Sequence, residues 1–430
     1  MKPQVKMLAD GVRLCYVRTD RFKTSNIIVS AALPLGEDAG TNALLIYLLK
    51  RSCKKYPDFT CLNGRLDELY GAALGAGIIK VGEAQVLRLS MSFIDDRFAL
   101  NGESVSDECA RLLASMLFEP NCKSGSFGSA AVESEKRLLK QRIEDEINDK
   151  RAYALNRCIE LMCADEAYGI SKYGTVEDIN AITMKKIYEA WKNLLKTAVF
   201  QIDVVSSTPC EKIEKIFADK FKKIEREPAQ IQTVFLTKAK RFHRHEENFP
   251  VNQGKLVMGL RAGMTNEQDN RPAVIVMNDL FGGGTYSKLF ANVREKLSLA
   301  YYCRSRLCPS KGLMFVECGI DLDKEKKVSA EILCQLSDVR NGKIKPEDIE
   351  ASKLSIKSRW TFNTPEEICD WYSTQLLKSE LETPEQAADA VAAVTVEEIS
   401  AAAKKVVLDT IYMLSGTGEQ EQQEEQTEED

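Results

Sequence analysis

Residues 181–202 read "AITMKKIYEAWKNLLKTAVFQI", and residues 393–414 read "AVTVEEISAAAKKVVLDTIYML". The two stretches match at five positions without a gap, and they lie 212 residues apart, close to half of the chain. Each begins with a threonine placed to cap a helix, Thr183 or Thr395, and continues with a helical pattern and a β-rich run. This repetition predicts two similar domains.

A second pair of stretches lies upstream of the first. Residues 25–49 and 254–280 both predict a strand, a glycine-containing loop and an apolar helix, in that order. Each half also contains a predicted hairpin followed by a long helical region. In the first half, the hairpin strands are 76–82 and 84–93, and the helical region lies near 130–164. In the second half, the hairpin strands are 299–308 and 312–320, and the helical region lies near 346–382. The predicted fold class is α+β, with two homologous domains that each have a mostly antiparallel sheet and helices on one face.

Charge and composition place the domain boundaries. Residues 222–250 are polar and contain prolines, so we predict one domain over 1–225 and the other over 226–414. The remaining residues, 415–430, contain six Glu and one Asp, a charge of −7, so a net charge of −5 leaves about +2 on the rest. We expect a disordered acidic tail that aids solubility, with docking as the alternative. Because no basic stripe is present, we expect no nucleic-acid partner.

The sequence also bears on the cellular compartment. No apolar run reaches the roughly 18 residues that cross a membrane, and the N-terminus lacks the apolar core of a secretory signal. Thirteen cysteines are scattered without a C-x-x-C pair, which is ordinary in a reducing compartment. We therefore expect a cytoplasmic protein without disulfides, a zinc knuckle or a membrane partner.

Residues 281–302, "FGGGTYSKLFANVREKLSLAYY", contain three consecutive glycines before a helical pattern. Gly282, Gly283 and Gly284 fit neither the P-loop spacing nor the dinucleotide fingerprint. The segment before them reads as a helix that starts at Pro272, so the glycines are predicted to end that helix, where positive φ favours glycine. Thr285 is predicted to cap the next helix.

The next helix is predicted to have one apolar stripe, formed by Leu289, Phe290, Val293 and Leu297. Arg294 lies just past the edge of this stripe, and Tyr301 begins a strand-like run. From the pattern alone, Arg294 is a surface arginine whose stem lies along the stripe, and Tyr301 is a half-buried strand residue.

Residues 281–302 resemble the C-terminal-half signature of the pitrilysin/insulinase-type zinc peptidases, in the short, processing-peptidase-like branch. The length, the duplicated halves and the linker fit the same family over most of the chain, and the likeness is greatest to members without a zinc motif, such as the EF-P modification-associated type. In this family, an Arg and a Tyr seven residues apart hold the substrate backbone and stabilise the oxyanion. The resemblance implies this role for Arg294 and Tyr301, both of which are suitable donors to negative charge.

The catalytic motif of this family is H-x-x-E-H on a helix of the N-terminal half, where two histidines bind zinc and the glutamate activates water. Alignment places Ala43, Ile46 and Tyr47 at these three positions, and none of them can perform these roles. The chain has only two histidines, His243 and His245, so neither this motif nor its inverse occurs anywhere. We predict that this chain binds no metal or other cofactor.

Three other features receive structural interpretations. The stretch "RFHRHEEN" (241–248) could bring two imidazoles together in a strand, but its arginines oppose cation binding, so we predict an exposed linker. Cys303 is predicted to be a buried strand cysteine rather than a reactive thiol beside Arg304. Tyr70 and Gly71 are predicted to pack a turn without any chemical role.

The resemblance implies a non-catalytic subunit of a heterodimeric zinc-dependent processing peptidase. Its partner would be a homologous chain that carries H-x-x-E-H and the zinc, and its substrate a peptide or an unfolded segment. The alternative is a structural or peptide-binding homodimer without proteolysis. A free-standing enzyme is the third possibility, and it would require a zinc held by this chain.

Overall fold

The computed structural model describes residues 2–265 and 270–416 of the 430-residue chain. Of the predicted acidic tail 415–430, residues 417–430 lie outside the described residues. The strands are β1 (Gln4–Ala9), β2 (Val12–Arg18), β3 (Thr24–Pro34), β4 (Ala73–Val81), β5 (Ala84–Ile94), β6 (Cys122–Lys123), β7 (Ser126–Phe127), β8 (Val199–Ser206), β9 (His243–Phe249), β10 (Gly254–Arg261), β11 (Tyr302–Cys308), β12 (Leu313–Ile320) and β13 (Val407–Gly416).

The helices connect these strands in the predicted order. They are α1 (Ala39–Arg51), α2 (Phe59–Glu68), α3 (Val105–Phe118), α4 (Ser129–Glu144), α5 (Lys150–Met162), α6 (Val176–Ala181), α7 (Met184–Thr197), α8 (Glu211–Phe221), α9 (Arg271–Gly282), α10 (Glu325–Arg340), α11 (Pro346–Arg359), α12 (Pro365–Ser373), α13 (Pro384–Ala392) and α14 (Val396–Lys405), with a π-helix over Leu289–Lys296. Among the described residues, no helix has both the length and the hydropathy needed to cross a membrane.

The chain forms two compact units, each assembled from three segments. Unit 1 comprises Met1–Glu144, Ile170–Gln232 and Phe362–Pro384, and unit 2 comprises Asp145–Gly169, Thr233–Thr361 and the chain from Glu385 onward. Each unit thus takes one segment from the other half of the chain. The continuous domains predicted over 1–225 and 226–414 do not include this exchange, because local sequence patterns give no sign of it.

The sheets of the two units repeat one strand order. Unit 1 has the order β1-β2-β8-β3-β5-β4, and unit 2 has the order β11-β12-β10-β13-β9. Read from its other edge, the unit 2 sheet matches unit 1 strand for strand once β1 is set aside. In each sheet one pair is parallel, β2 with β8 and β9 with β13, and all other pairs are antiparallel. The predicted α+β class with duplicated, mostly antiparallel sheets is confirmed.

The repeated helix–strand element explains why the two stretches share their threonines. The hydroxyl of Thr183 accepts a hydrogen bond from the Lys186 amide at 3.2 Å and begins α7, which leads into β8. The hydroxyl of Thr395 accepts from the Glu398 amide at 3.3 Å and begins α14, which leads into β13. In each case an N-cap satisfies an amide that the first helical turn leaves without a partner.

Both faces of each sheet are covered by helices. In β8, Ile202 and Val204 point into the main helical core, whereas Gln201 on the opposite face donates to the Tyr372 carbonyl of α12 at 2.8 Å. In unit 2, Leu256 of β10 belongs to the main core, and its neighbour Val257 packs in a second cluster with residues of α5. The exchanged segments therefore supply the helix on the second face of each sheet.

Candidate functional site

The three glycines end α9 for steric reasons rather than conformational ones. Gly283 has a φ of −84°, and none of the three is among the glycines with positive φ, so that part of the prediction is wrong. A Cβ at position 282 would overlap the backbone nitrogen of Ser305, and one at position 283 would overlap the Asp279 side chain. Gly282 lets the end of α9 pass close to β11, a use of glycine unrelated to phosphate binding.

The cap of the next helix lies two residues beyond the predicted one. The Ser287 hydroxyl accepts a hydrogen bond from the Phe290 amide at 3.4 Å, whereas Thr285 is exposed and lies in a turn. The prediction for Thr285 is therefore wrong, because the turn after the glycines is longer than the sequence indicates.

The helix that carries Arg294 is wound as a π-helix. The Leu297 amide donates to the Asn292 carbonyl, five residues back, instead of four. Leu289 and Val293 are fully buried, but Leu297 is 44% exposed. The predicted stripe is thus wrong at Leu297, because α-helical spacing does not apply to a π-helix.

Arg294 is exposed on this helix. Its guanidinium lies 4.7 Å from the centroid of the Phe290 ring, a cation–π contact, and its Nε is 3.6 Å from the Glu295 carboxylate. The side chain remains 43% exposed, so its terminal nitrogens can reach a ligand in solvent. The placement agrees with a surface arginine whose stem is packed, and it leaves the donors available.

Tyr301 lies immediately before β11 and is 54% exposed. Its hydroxyl donates to Asp321 Oδ1 at 2.7 Å, and its backbone amide donates to the Gly319 carbonyl at 2.9 Å. The hydrogen bond to Asp321 raises the pKa of Tyr301. The described hydrogen bonds and ion pairs do not join Tyr301 to Arg294.

Asp321 is a residue of this site that the sequence did not reveal. The ammonium of Lys324 lies 2.5 Å from Asp321 Oδ2 and, with Tyr301, lowers the pKa of this carboxyl. The Tyr301 hydroxyl has one hydrogen, and in this structure it donates that hydrogen to Asp321. To donate to an oxyanion, the phenol must turn away from Asp321.

The three positions aligned with the zinc motif all lie on α1. Ala43 and Ile46 are buried in the unit 1 core, and Tyr47 is half-buried. The Arg142 guanidinium lies 4.4 Å from the centroid of the Tyr47 ring. No cluster of three or more His, Cys, Asp or Glu residues that could hold a metal occurs within 2–265 and 270–416. A guanidinium beside the Tyr47 ring is unfavourable for a zinc ion at these positions.

The two histidines lie in a strand, not in the predicted linker. His243 and His245 belong to β9, which pairs in parallel with β13, and their rings stack with centroids 5.9 Å apart. His243 Nε2 accepts a hydrogen bond from Arg241 Nε at 3.2 Å, so a cation already occupies that lone pair. Burial, followed by the charges of His243 and Arg157, lowers the pKa of His245. The linker interpretation is wrong because the alternation of polar residues is that of an edge strand.

The other two predicted features have structural roles. Cys303 is buried in β11, with its sulfur 3.0 Å from that of Cys318 on β12. Tyr70 and Gly71 both have positive φ, 60° and 70°, and form the turn before β4. The Tyr70 hydroxyl accepts from the Leu100 amide at 2.9 Å, which fixes this turn against the next loop.

Comparison with known proteins identifies the family. Residues 181–356 match the family model described as "Peptidase M16 inactive domain". Over 418 residues the chain is 32% identical to the "Probable inactive metalloprotease YmfF" of Bacillus subtilis strain 168, covering 96% of this chain and 98% of that protein. This chain belongs to the pitrilysin/insulinase-type, or M16, peptidase family. The family resemblance stated from residues 281–302 is confirmed.

Solved structures of other proteins share the M16 architecture of this chain. A conserved protein from Enterococcus faecalis V583 has a TM-score of 0.87 and 28% identity, with 97% of this chain and 100% of that chain covered. A "peptidase M16 inactive domain" from Pseudomonas fluorescens has a TM-score of 0.80 and 16% identity, over 97% of this chain and 99% of that one. At that lower identity, the likeness concerns the M16 fold alone.

Proposed function

We propose that this M16 chain is the non-catalytic subunit of a heterodimeric zinc-dependent processing peptidase. The observation that carries the proposal is that this chain has the substrate-binding pair of the family but lacks its zinc motif. Arg294 and Tyr301 keep the spacing of the family signature and are exposed, while Ala43, Ile46 and Tyr47 replace the zinc motif. The zinc and the general base would come from a homologous partner that carries H-x-x-E-H.

Within such a pair, this chain would bind substrate and stabilise charge. The Arg294 guanidinium would hold a carbonyl oxygen of an extended peptide or unfolded segment, and the Tyr301 hydroxyl would donate to the developing oxyanion after leaving Asp321. Hydrogen-bond donors of this kind act most strongly where water is excluded, so closure of the two subunits around the substrate is part of the proposal. The zinc, held by the partner, would polarise the scissile carbonyl.

Co-expression tests the partnership. We expect this chain to co-purify in equal amounts with a homologue that carries H-x-x-E-H, and the pair to hold one zinc that is lost when the partner's motif is mutated. The homodimer would be supported instead if the chain forms only a self-complex, binds none of these homologues, and binds peptide without cleaving it. A tightly held zinc on this chain alone, with hydrolysis, would support the free-standing enzyme.

Substitution tests the two residues. In the co-expressed pair, Tyr301→Phe removes one donor and keeps the ring, so we expect kcat to fall with little change in KM. Tyr302→Phe is the matched control, because it removes the hydroxyl of the adjacent tyrosine. If Tyr301→Phe and Tyr302→Phe have equal kcat values, the role of Tyr301 is wrong.

A further inference from the structure

The end strand of the unit 2 sheet carries cations on one face. Along β11, Cys303 and Ser305 point into the core side, where the Ser305 hydroxyl donates to the Asn278 carbonyl of α9 at 2.8 Å. Arg304 and Arg306 point to the opposite face, and both are exposed. In the described strand order, β11 has a partner on one side only, β12. Its other edge is therefore open to an additional strand.

Further cations lie on the same face, which we call the β11 outer face and define by Arg151, Lys255, Tyr302, Arg304 and Arg306. Register places Tyr302 opposite Gly319 of β12, and Gly319 opposite Lys255 of β10, in one row across the sheet. From α5, the Arg151 guanidinium lies 4.5 Å from the centroid of the Tyr302 ring. Four positive side chains thus share one face.

One buried carboxylate lies among these cations. Glu317 of β12 is 1% exposed and pairs with Arg304 at 3.0 Å and with Arg151 at 3.1 Å. Asp149 is adjacent, but its carboxylate accepts from the first amides of α5. Among the described residues, Arg306 has no carboxylate partner. Burial and, second to it, the like charge of Arg151 lower the pKa of Lys255.

We propose that the β11 outer face binds an acidic peptide segment in extended conformation, with alternate side chains directed at Arg304 and Arg306. Residues i and i+2 of a strand lie about 6.8 Å apart on one face, and an extended peptide has the same repeat. Acidic residues at every second position would therefore meet both guanidiniums while the peptide backbone pairs with the free edge of β11. Arg294 and Tyr301 are not part of this surface, so it can be tested on this chain without the zinc-bearing partner.

The test uses the full chain alone and a fluorescein-labelled peptide of alternating Glu and Ser, with binding measured by fluorescence anisotropy. We expect saturable binding that weakens as the ionic strength rises from about 0.05 M to about 0.5 M. A peptide of alternating Gln and Ser should not bind. A peptide of the same composition with the repeat Glu-Glu-Ser-Ser should bind more weakly, because no two of its Glu residues are two positions apart.

Variants locate the site. Arg304→Gln with Arg306→Gln should weaken binding about ten-fold, the equivalent of two exposed ion pairs. Arg306→Gln alone disturbs no ion pair among the described residues and should still weaken peptide binding measurably. The control, Lys326→Gln with Lys327→Gln, changes charge equally on exposed positions of α10 and should bind like wild type.

Four outcomes overturn the proposal: no binding of the alternating Glu peptide, equal binding of the Gln peptide, equal binding of the Glu-Glu-Ser-Ser peptide, or wild-type affinity in Arg306→Gln. Equal competition by a single-stranded oligonucleotide of matched charge would also overturn it, since the face would then be a general anion site. Circular dichroism of each variant establishes that a loss of binding is not a loss of folding.

Discussion

Lys311 is the most informative position for a stability experiment. It is fully buried in unit 2, its ammonium lies 2.7 Å from Glu166 Oε2, and it donates to the Val234 carbonyl at 2.6 Å. Arg261 pairs with the other oxygen of Glu166 at 2.7 Å and with Asp409 at 2.8 Å. The four charges sum to zero, and all four side chains are buried.

Lys311→Met keeps most of the side-chain volume and removes the charge, so the network is left with one negative charge in excess. Removing one partner of a buried ion pair costs about 3–5 kcal/mol. That is a large part of the roughly 5–15 kcal/mol that stabilises a typical domain. For a unit of this size, the expected fall in melting temperature is about 10 °C or more.

Differential scanning calorimetry measures this fall. Lys343→Met is the control, because Lys343 pairs with Asp338 at 3.0 Å while its side chain is 70% exposed, and such pairs contribute about 1 kcal/mol or less. Adding Glu166→Gln to Lys311→Met restores charge balance and should recover more than half of the lost stability. A Lys311→Met protein that melts within about 2 °C of wild type would refute the reasoning.

Two further predictions concern unit 1 and the glycine run. Burial raises the pKa of the Asp203 carboxyl to about 7, so its contribution to stability is full below about pH 4 and is lost as pH rises through 7. Asp203→Asn should therefore flatten the fall in melting temperature between about pH 4 and pH 7, whereas exposed Asp10→Asn should not. Gly282→Ala should lower the free energy of unfolding in urea by about 1–3 kcal/mol, because the new Cβ overlaps Ser305. The control is Gly64→Ala in α2, whose Cβ meets no atom within 4 Å and which should raise the free energy of unfolding by about 0.5–1 kcal/mol. An unchanged pH profile, or a neutral Gly282→Ala, would contradict these assignments.

The duplication was predictable because local sequence patterns repeat in the two halves of the chain. Threonine caps, helical spacing and β-rich runs recur at equal offsets, and the structure gives β8 and β13 the same place in their sheets. The exchange of α5 and α12 between the halves was not predictable, since nothing within either helix identifies the sheet that it covers. The continuous burial of β3 and of β8 is a local sign that their sheet is covered on both faces.

The candidate site was predictable only in part. The spacing of Arg294 and Tyr301 and the absence of H-x-x-E-H are visible in the sequence. The π-helix was missed because its five-residue hydrogen bonds have no pattern that differs from an α-helix over eight residues, and Leu297 was misplaced as a result. Asp321 was missed because its hydrogen bond with Tyr301 spans 20 residues and depends on the β11–β12 hairpin.

The turnover of the reconstituted pair under Arg294→Ala tests the central claim most directly. We predict that Arg294→Ala in this chain lowers kcat/KM for peptide cleavage about 100-fold or more, because the substrate backbone loses the donor that positions it for reaction. Lys296→Ala, an exposed cation on the same π-helix, should leave cleavage unchanged. If Arg294→Ala and Lys296→Ala pairs cleave peptide at equal rates, this chain does not contribute Arg294 to the active site.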